Sequence, residues 1–456
     1  MNVILVSTYD LGRQPFGLAS PAAWLRRAGH QVQAIDFSRG PWSNDAVAAA
    51  DLIAFYLPMH TATRLAMPLI DRVRERNPSA VMCAYGLYAP LNADLLRQHG
   101  IAVVLGPEAE QQLVDLASRD SAMAVASGSA GASTFALRAT ADKKAPAFQT
   151  IPRLDFIQPD RAGLPGLDRY AALQMPDGST KIVGATDATR GCKHRCRHCP
   201  IVPVYDGQFR VVPVDVVMAD IRAQIQQGAS HISFGDPDFF NGPTHARRIV
   251  EALHREFPRV TYDAIIKVEH LIAHRELLPL LAASGCVFIT SAVEAVDDEV
   301  LSKLEKGHTR ADFILAAKSC RDAGLTLVPT FVAFTPWTTI DGYMDLLRVV
   351  ADLDLVANVA PVQWGIRLLI TWESRLLELP DVRSVIGAFD ASTLTYPWTH
   401  PDPRVDLLQQ QVMALAGVRA ARSRDAIFAS VCELAQVNLF LPSRSAIPYM
   451  NEPWYC

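Results

Sequence analysis

The chain has 456 residues, half of them apolar and a fifth charged, which is the composition of a folded protein of roughly two to four domains and excludes a disordered one. With 43 basic against 47 acidic residues and a formal charge of -4, it has no net field to hold a polyanion, so nucleic acid is not an expected partner. Eight cysteines are too few for a disulfide scaffold; in the reducing cytoplasm expected for this protein they read as metal ligands or catalysts.

The opening stretch, MNVILVSTYDLG, has no basic leader and no cleavage site and reads as a buried strand. No apolar run approaches the ~18 residues of a membrane helix. The longest, residues 325–337, is broken by Pro329 and Pro336, so no membrane is expected as a partner. Short apolar runs at 3–7, 32–36, 52–56, 81–85 and 101–105 predict strands, and amphipathic runs at 22–28, 63–76, 93–98 and 108–118 predict helices. This alternation predicts an α/β fold with a doubly wound, mostly parallel sheet over residues 1–118. A ligand of such a sheet sits beyond the carboxyl ends of the strands, here residues 8–17, 58–62 and 86–90. No GxGxxG follows a strand, so no dinucleotide motif is present.

Residues 119–148 are rich in Ala, Ser and Gly, and a linker is expected over 119–179. Alternation resumes over 180–371. Strands are predicted at 181–186, 231–234, 260–267, 287–293, 325–334 and 362–370. The helices between them are predicted at 214–227, 244–256, 276–283, 298–305, 311–323 and 342–353. Six such units predict a partial (β/α)6 barrel with its chemistry at the strand carboxyl ends. Residues 372–456 read as a helical region with Pro-rich joints, and no internal repeat is present.

The segment Gly191-Cys192-Lys193-His194-Arg195-Cys196-Arg197-His198-Cys199-Pro200 follows the first strand of that barrel. Three thiols at CxxxCxxC spacing suit an iron–sulfur cluster or zinc. Zinc would need a fourth ligand, His194 or His198, and a zinc-stabilised binding protein without catalysis is the reading from that side. Against it, no second CxxC lies nearby, and the loop sits at the predicted mouth of a barrel. Three ligands leave one iron of a four-iron cluster open.

The CxxxCxxC segment at the head of six β/α units resembles the radical S-adenosylmethionine (SAM) superfamily over residues 180–370. The resemblance implies a [4Fe-4S] cluster on Cys192, Cys196 and Cys199, with SAM chelating the open iron. It implies one-electron cleavage of a carbon–sulfur bond of SAM and an electron donor such as flavodoxin or ferredoxin. His198 stands where an aromatic residue is common. Gly235 and Asp236, in Ser233-Phe234-Gly235-Asp236-Pro237-Asp238, resemble the Gly-Gly-Glu-Pro turn that meets the SAM ammonium. With Asp238, Phe239 and Phe240 the same segment resembles the Asp-rich turn of cobalamin-domain members, although an Asp after a strand is also a common helix N-cap. Ser291 and Glu294 resemble ribose-binding positions, against a reading as solvated loop; Arg310 is assigned to the SAM carboxylate, against a solvated helix start.

A sheet domain ahead of such a barrel resembles a cobalamin-binding arrangement, whose Asp-x-His-x-x-Gly loop ligates cobalt. Here Asp10 follows the first strand, but the next histidine is His30; His60, the other histidine near a strand end, is not expected to be a cobalt ligand. Either cobalamin binds without a protein imidazole or the domain is a scaffold. The tail Asn451-Glu452-Pro453-Trp454-Tyr455-Cys456, with RGCKHRCRHCPIVPVY and FGDPDFFNGPTHARR, resembles a radical SAM group named for a Cys-Cys-Ala-Glu-Pro or Cys-selenocysteine-Ala-Glu-Pro tail. That group is similar to the radical SAM enzymes of arsinothricin biosynthesis, which transfer the 3-amino-3-carboxypropyl group of SAM to trivalent arsenic. The resemblance implies arsenite as substrate and Cys456 as a thiol that delivers it, with a selenocysteine codon expected directly after Cys456. A cobalamin-dependent methyltransferase or rearrangement enzyme is the alternative. Cys83, Cys286, Cys320 and Cys432 are expected to be buried.

Overall fold

The computed structural model describes residues 1–118, 151–417, 423–439 and 446–451. They form two compact units, Met1–Asp10 with Gln14–Pro165 and Leu11–Arg13 with Gly166–Tyr455. In the first, β1 (Asn2–Ser7), β2 (Gln31–Asp36), β3 (Leu52–Tyr56), β4 (Val81–Tyr85) and β5 (Val103–Val104) make a parallel sheet in the order β2-β1-β3-β4-β5. β1 is apolar and buried over Val3–Val6 because both of its faces are covered. The core under helices Phe16–Arg27 and Glu110–Ala117 joins Leu18, Ala22, Leu25 and Leu113 to Val3, Leu5, Ala54 and Tyr85.

The first helix starts six residues before the amphipathic pattern and runs through Pro21. Proline has no N–H for the carbonyl four residues back, which is that of Gly17. The Tyr85 hydroxyl donates to that carbonyl at 2.7 Å, so a strand side chain replaces the missing helix bond.

The second unit contains β6 (Ala172–Gln174), β7 (Thr180–Thr186), β8 (Thr189–Gly191), β9 (Phe209–Val211), β10 (His231–Phe234), β11 (Thr261–Ile265), β12 (Cys286–Glu294), β13 (Thr326–Phe331) and β14 (Tyr449–Met450). Its main sheet has the order β13-β12-β11-β10-β7-β6-β14. β7, β10, β11, β12 and β13 are parallel and form a half-barrel; β6 and β14 add antiparallel at the β7 edge. Side-chain caps restart the chain after strands: Asp297 caps Asp298–Lys303, and Thr309 with Asp312 forms a capping box on Arg310–Asp322.

Three expectations change. The sixth strand at 362–370 is a 3-10 turn, Pro361–Trp364, followed by a single parallel bridge between Phe334 and Arg367, because Pro361 and Gly365 interrupt the run. Residues 151–179, read as linker, are packed: Ile151, Leu167, Tyr170 and Leu173 are buried, and the Arg161 guanidinium donates to Gln14 Oε1 at 2.9 Å. The C-terminal region is not wholly helical, since β14 returns to the sheet edge. Residues 119–150 and Cys456 lie outside the described residues. Cys83, Cys286, Cys320 and Cys432 are buried, as expected. No helix among the described residues is long and apolar enough to cross a membrane.

Candidate active site

The cysteine loop is held at its base by the antiparallel pair β8–β9, an element the sequence reading did not contain. Gly191, at φ +78°, turns the chain into the loop; a Cβ there would lie 2.4 Å from Tyr205 Cδ1 and 2.6 Å from the Gln208 carbonyl, so glycine is required. Asn241 spans Cys192: its Nδ2 donates to the Gly191 carbonyl at 3.1 Å and its Oδ1 accepts from the Lys193 N–H at 3.2 Å. Further along, the Arg197 N–H donates to the Leu304 carbonyl at 2.9 Å, while its guanidinium holds the Lys303 carbonyl and Glu305. Backbone hydrogen bonds and ion pairs thus fix the loop before any metal is considered.

Cys196 is buried and Cys192 and Cys199 are half-buried. Burial pushes the Cys192 thiol up to about 11 and Cys199 up to about 12, and the neighbouring thiols add to both shifts. Three thiolates in such a place need a strongly cationic partner. A single tetrahedral zinc, with Zn–S bonds of about 2.3 Å, would draw its sulfurs to roughly 3.8 Å from one another. Among the described residues, three metal-type ligand atoms converge within 4.8 Å only at His194, Asp238 and His270, and the three thiols do not. The donor set fits a cluster that spans the loop better than one zinc ion.

The other residues picked from sequence separate into two groups. Ser291 lies within β12, Glu294 ends it and Asp238 follows β10, and all three are buried. Ser291 Oγ has no hydrogen-bond partner, an orphan of the kind a bound polar ligand would satisfy. Glu294, in the left-handed region at φ +70°, accepts from Lys306 Nζ at 3.2 Å and lies 3.1 Å from His198 Nε2, one residue before Cys199. Burial alone would raise its carboxyl, but Lys306 and His198 hold it at about 2.

Asp236 and Gly235 serve the backbone. Asp236 is fully buried, and its oxygens accept from the Ala188 N–H at 2.9 Å and the Thr189 hydroxyl at 2.6 Å. It thereby ties the end of β10 to the residues that lead into the cysteine loop. Burial and the nearby Asp187 raise its carboxyl to about 7. A Cβ on Gly235 would meet Asp187 Oδ1 at 2.4 Å. Arg310 does not join the set: its guanidinium pairs with Asp345 at 2.6 Å, on the neighbouring helix Ile340–Asp352.

Sequence reading missed Asn241, Lys267, His270 and Lys306. Lys267 and Lys306 are buried, which is rare for lysine without a partner. The signal for Lys267 is its place inside the apolar run Ala264-Ile265-Ile266-Lys267-Val268. Nothing in the local pattern marks Lys306 or His270.

In the first unit, the strand order places a topological switch point between β1 and β3. Tyr56, at the end of β3, lies against the backbone of Gly17, where a Cβ would be 2.1 Å from its ring. Tyr85 packs beside it, ring centroids 5.4 Å apart. His60 is the first residue of helix His60–Arg76 and meets Tyr88 edge-on. These side chains stand at or just beyond the carboxyl ends of β3 and β4, beside the switch point.

A curled parallel half-barrel with three thiols on the loop after its first strand and buried polar groups on the next ones is the architecture of a radical SAM domain. Residues 187–347 match the family model described as the Radical SAM superfamily, and the core of this chain is a radical SAM domain. Such domains carry a [4Fe-4S] cluster and SAM. Among curated relatives, the hopanoid C-3 methylase of Methylococcus capsulatus is 25% identical over 335 residues, 71% of this chain and 62% of its own length. The tRNA-2-methylthio-N(6)-dimethylallyladenosine synthase of Fusobacterium nucleatum is 25% identical over 182 residues, 36% of this chain and 39% of its own length. The chain thus spans less than two thirds of either relative. Among solved structures, the cobalamin-dependent radical enzyme OxsB, with aqua-cobalamin and SAM bound, matches at TM-score 0.66 and 14% identity over 95% of this chain and 71% of its own. The radical SAM methyltransferase TsrM of Kitasatospora setae, with tryptophan and aza-SAM bound, matches at 0.59 and 17% identity over 83% and 76%.

Proposed function

We propose that this chain is a radical SAM enzyme that cleaves SAM reductively at a cluster held by Cys192, Cys196 and Cys199. The observation that carries the reading is the fixed cysteine loop facing buried polar groups on the neighbouring strand ends. When bound, the cluster supplies the electron that breaks a carbon–sulfur bond of SAM. Gly191, Asn241 and Arg197 hold the loop's backbone in place, and Asp236 anchors the residues that lead into it. Ser291 and Glu294 would contact the nucleoside side of SAM, and Lys306 keeps Glu294 ionised.

For the substrate, we infer trivalent arsenic, alkylated by the 3-amino-3-carboxypropyl group. Support comes from the tail that ends in Trp454-Tyr455-Cys456, whose thiol is a soft ligand suited to arsenic. A second reading, cobalamin-dependent methyl transfer, is favoured by the likeness to OxsB and TsrM.

The test is anaerobic incubation of the full chain with SAM, reductant and arsenite, followed by product mass. Transfer to arsenic leaves methylthioadenosine, because that is SAM less the aminocarboxypropyl group. S-adenosylhomocysteine formed only when cobalamin is added would move the assignment to the second reading. Intact SAM in every arm, with a fully loaded cluster, would remove both.

A further inference from the structure

Beside the cysteine loop lies a second group of ligand-type side chains that the cluster does not use. His194 projects from between Cys192 and Cys196, Asp238 follows β10, and His270 lies in the helix Val268–Ala273 after β11. One ligand atom from each falls within 4.8 Å of the other two. His194 Nε2 lies 3.2 Å from His270 Nε2 and 3.5 Å from Asp238 Oδ2. Bonds of about 2.0–2.2 Å from one divalent ion to nitrogen and oxygen place neighbouring ligand atoms roughly 3.0–3.5 Å apart. Both separations from His194 Nε2 fall there, while His270 faces Asp238 Oδ2 through its other nitrogen, Nδ1, at 2.6 Å.

The oxygens of Asp238 are unequal. Oδ1 accepts from the backbone N–H groups of Phe240, at 3.2 Å, and Lys267, at 3.4 Å, which fixes the carboxylate. Oδ2 is buried and has no hydrogen-bond partner; His270 Nδ1, 2.6 Å away, is also buried and lacks the alignment to donate to it. Both side chains are more than nine-tenths buried, Asp238 at 0% and His270 at 3% exposure. On the far side of the His194 ring, Nδ1 faces Glu269 Oε2 at 3.6 Å.

We propose that His194, Asp238 and His270 bind one divalent transition-metal ion, zinc or ferrous iron, distinct from the cluster. Two imidazoles and one carboxylate are a borderline donor set that suits these ions and leaves coordination positions open for water or a substrate donor atom. The two neutral imidazoles and the carboxylate balance part of the ion's charge, and Glu269 supplies a second negative group behind His194.

The test uses the full chain with its cluster assembled, dialysed anaerobically against zinc or ferrous iron. Metal analysis is expected to find one ion per chain beyond the cluster iron. Zinc-edge X-ray absorption is expected to show only nitrogen and oxygen neighbours near about 2.0–2.1 Å, with no sulfur near about 2.3 Å. H270A is expected to weaken binding of the extra ion at least about tenfold while the cluster iron and sulfide stay in place. If H270A loses its cluster, H194N, which alters the half-buried end of the site, decides. No extra ion, sulfur neighbours, or binding unchanged in whichever variant retains its cluster would overturn the proposal. Cluster content is read separately, so loss of the radical SAM reading and loss of this site are distinguishable.

Discussion

At the scale of single residues, the site depends on a few side chains whose removal has distinct signatures. Each of Cys192→Ala, Cys196→Ala and Cys199→Ala is expected to remove most of the about four iron and four sulfide per chain, read by metal analysis and visible absorbance. A colourless wild-type protein with zinc on sulfur ligands would contradict this. Glu294 and Lys306 form a buried pair, 7% and 3% exposed. Glu294→Gln leaves Lys306 charged and uncompensated, at a cost of about 3 kcal/mol in unfolding free energy at neutral pH. The carboxyl is held at about 2, against an ordinary 4.5, by Lys306 and His198 despite its burial. Its stabilisation is therefore complete above about pH 4.5 and is lost as pH falls toward 2. Denaturant unfolding of the cluster-free wild type and Glu294→Gln should give curves that converge across that window. A constant gap from pH 7 to pH 2 would mean that the pair is not what sets the difference. Cys83, Cys286 and Cys320 have the pattern of inert core thiols: each is buried, and burial raises its thiol.

At the scale of elements, the CxxxCxxC loop depends on β8–β9, Gly191 and Asn241 as much as on its thiols. Gly191→Ala is expected to lower iron loading severely although every cysteine remains, because the backbone needs φ +78° and the Cβ would overlap Tyr205. Asn241→Ala is milder: two backbone bonds are lost, at about 1–3 kcal/mol, and the cluster should load but release iron faster to a chelator. Chelation rates equal to wild type would show that the hairpin alone fixes the loop. The thiol spacing was legible in sequence, but the clamp was not. β8 and β9 are three residues each, separated by the whole loop, and neither has enough alternation to announce a strand. The sixth barrel strand fails for the opposite reason: residues 362–370 are apolar enough to suggest a strand, but the chain turns in 3-10 geometry at Pro361–Trp364.

At the scale of the molecule, the two units have sheets of different kinds, the first all parallel and the second with antiparallel strands at one edge. The first has the 2-1-3-4-5 order of a doubly wound sheet, with Tyr56 and Tyr85 in contact at the ends of β3 and β4. Cobalamin added to the purified chain is expected to show no nitrogen coupling from a protein imidazole in the paramagnetic resonance of its reduced form. Such coupling, lost in His60→Ala, would show that His60 moves onto cobalt. The sequence by itself determined the α/β alternation of both units, the place of the three thiols after a barrel strand and the radical SAM resemblance over residues 180–370. These are local properties: hydrophobic period, motif spacing and cysteine chemistry all act within a dozen residues of chain. Tertiary structure decided the rest. It paired Arg310 with Asp345, turned Asp236 inward to hold Ala188 and Thr189, and placed Lys306 and His198 on Glu294. It also gathered His194, Asp238 and His270, which are 76 residues apart at the extremes of the set. Contacts between residues this distant depend on how successive strand ends converge at one edge of a curled sheet, and no window along the chain records that convergence.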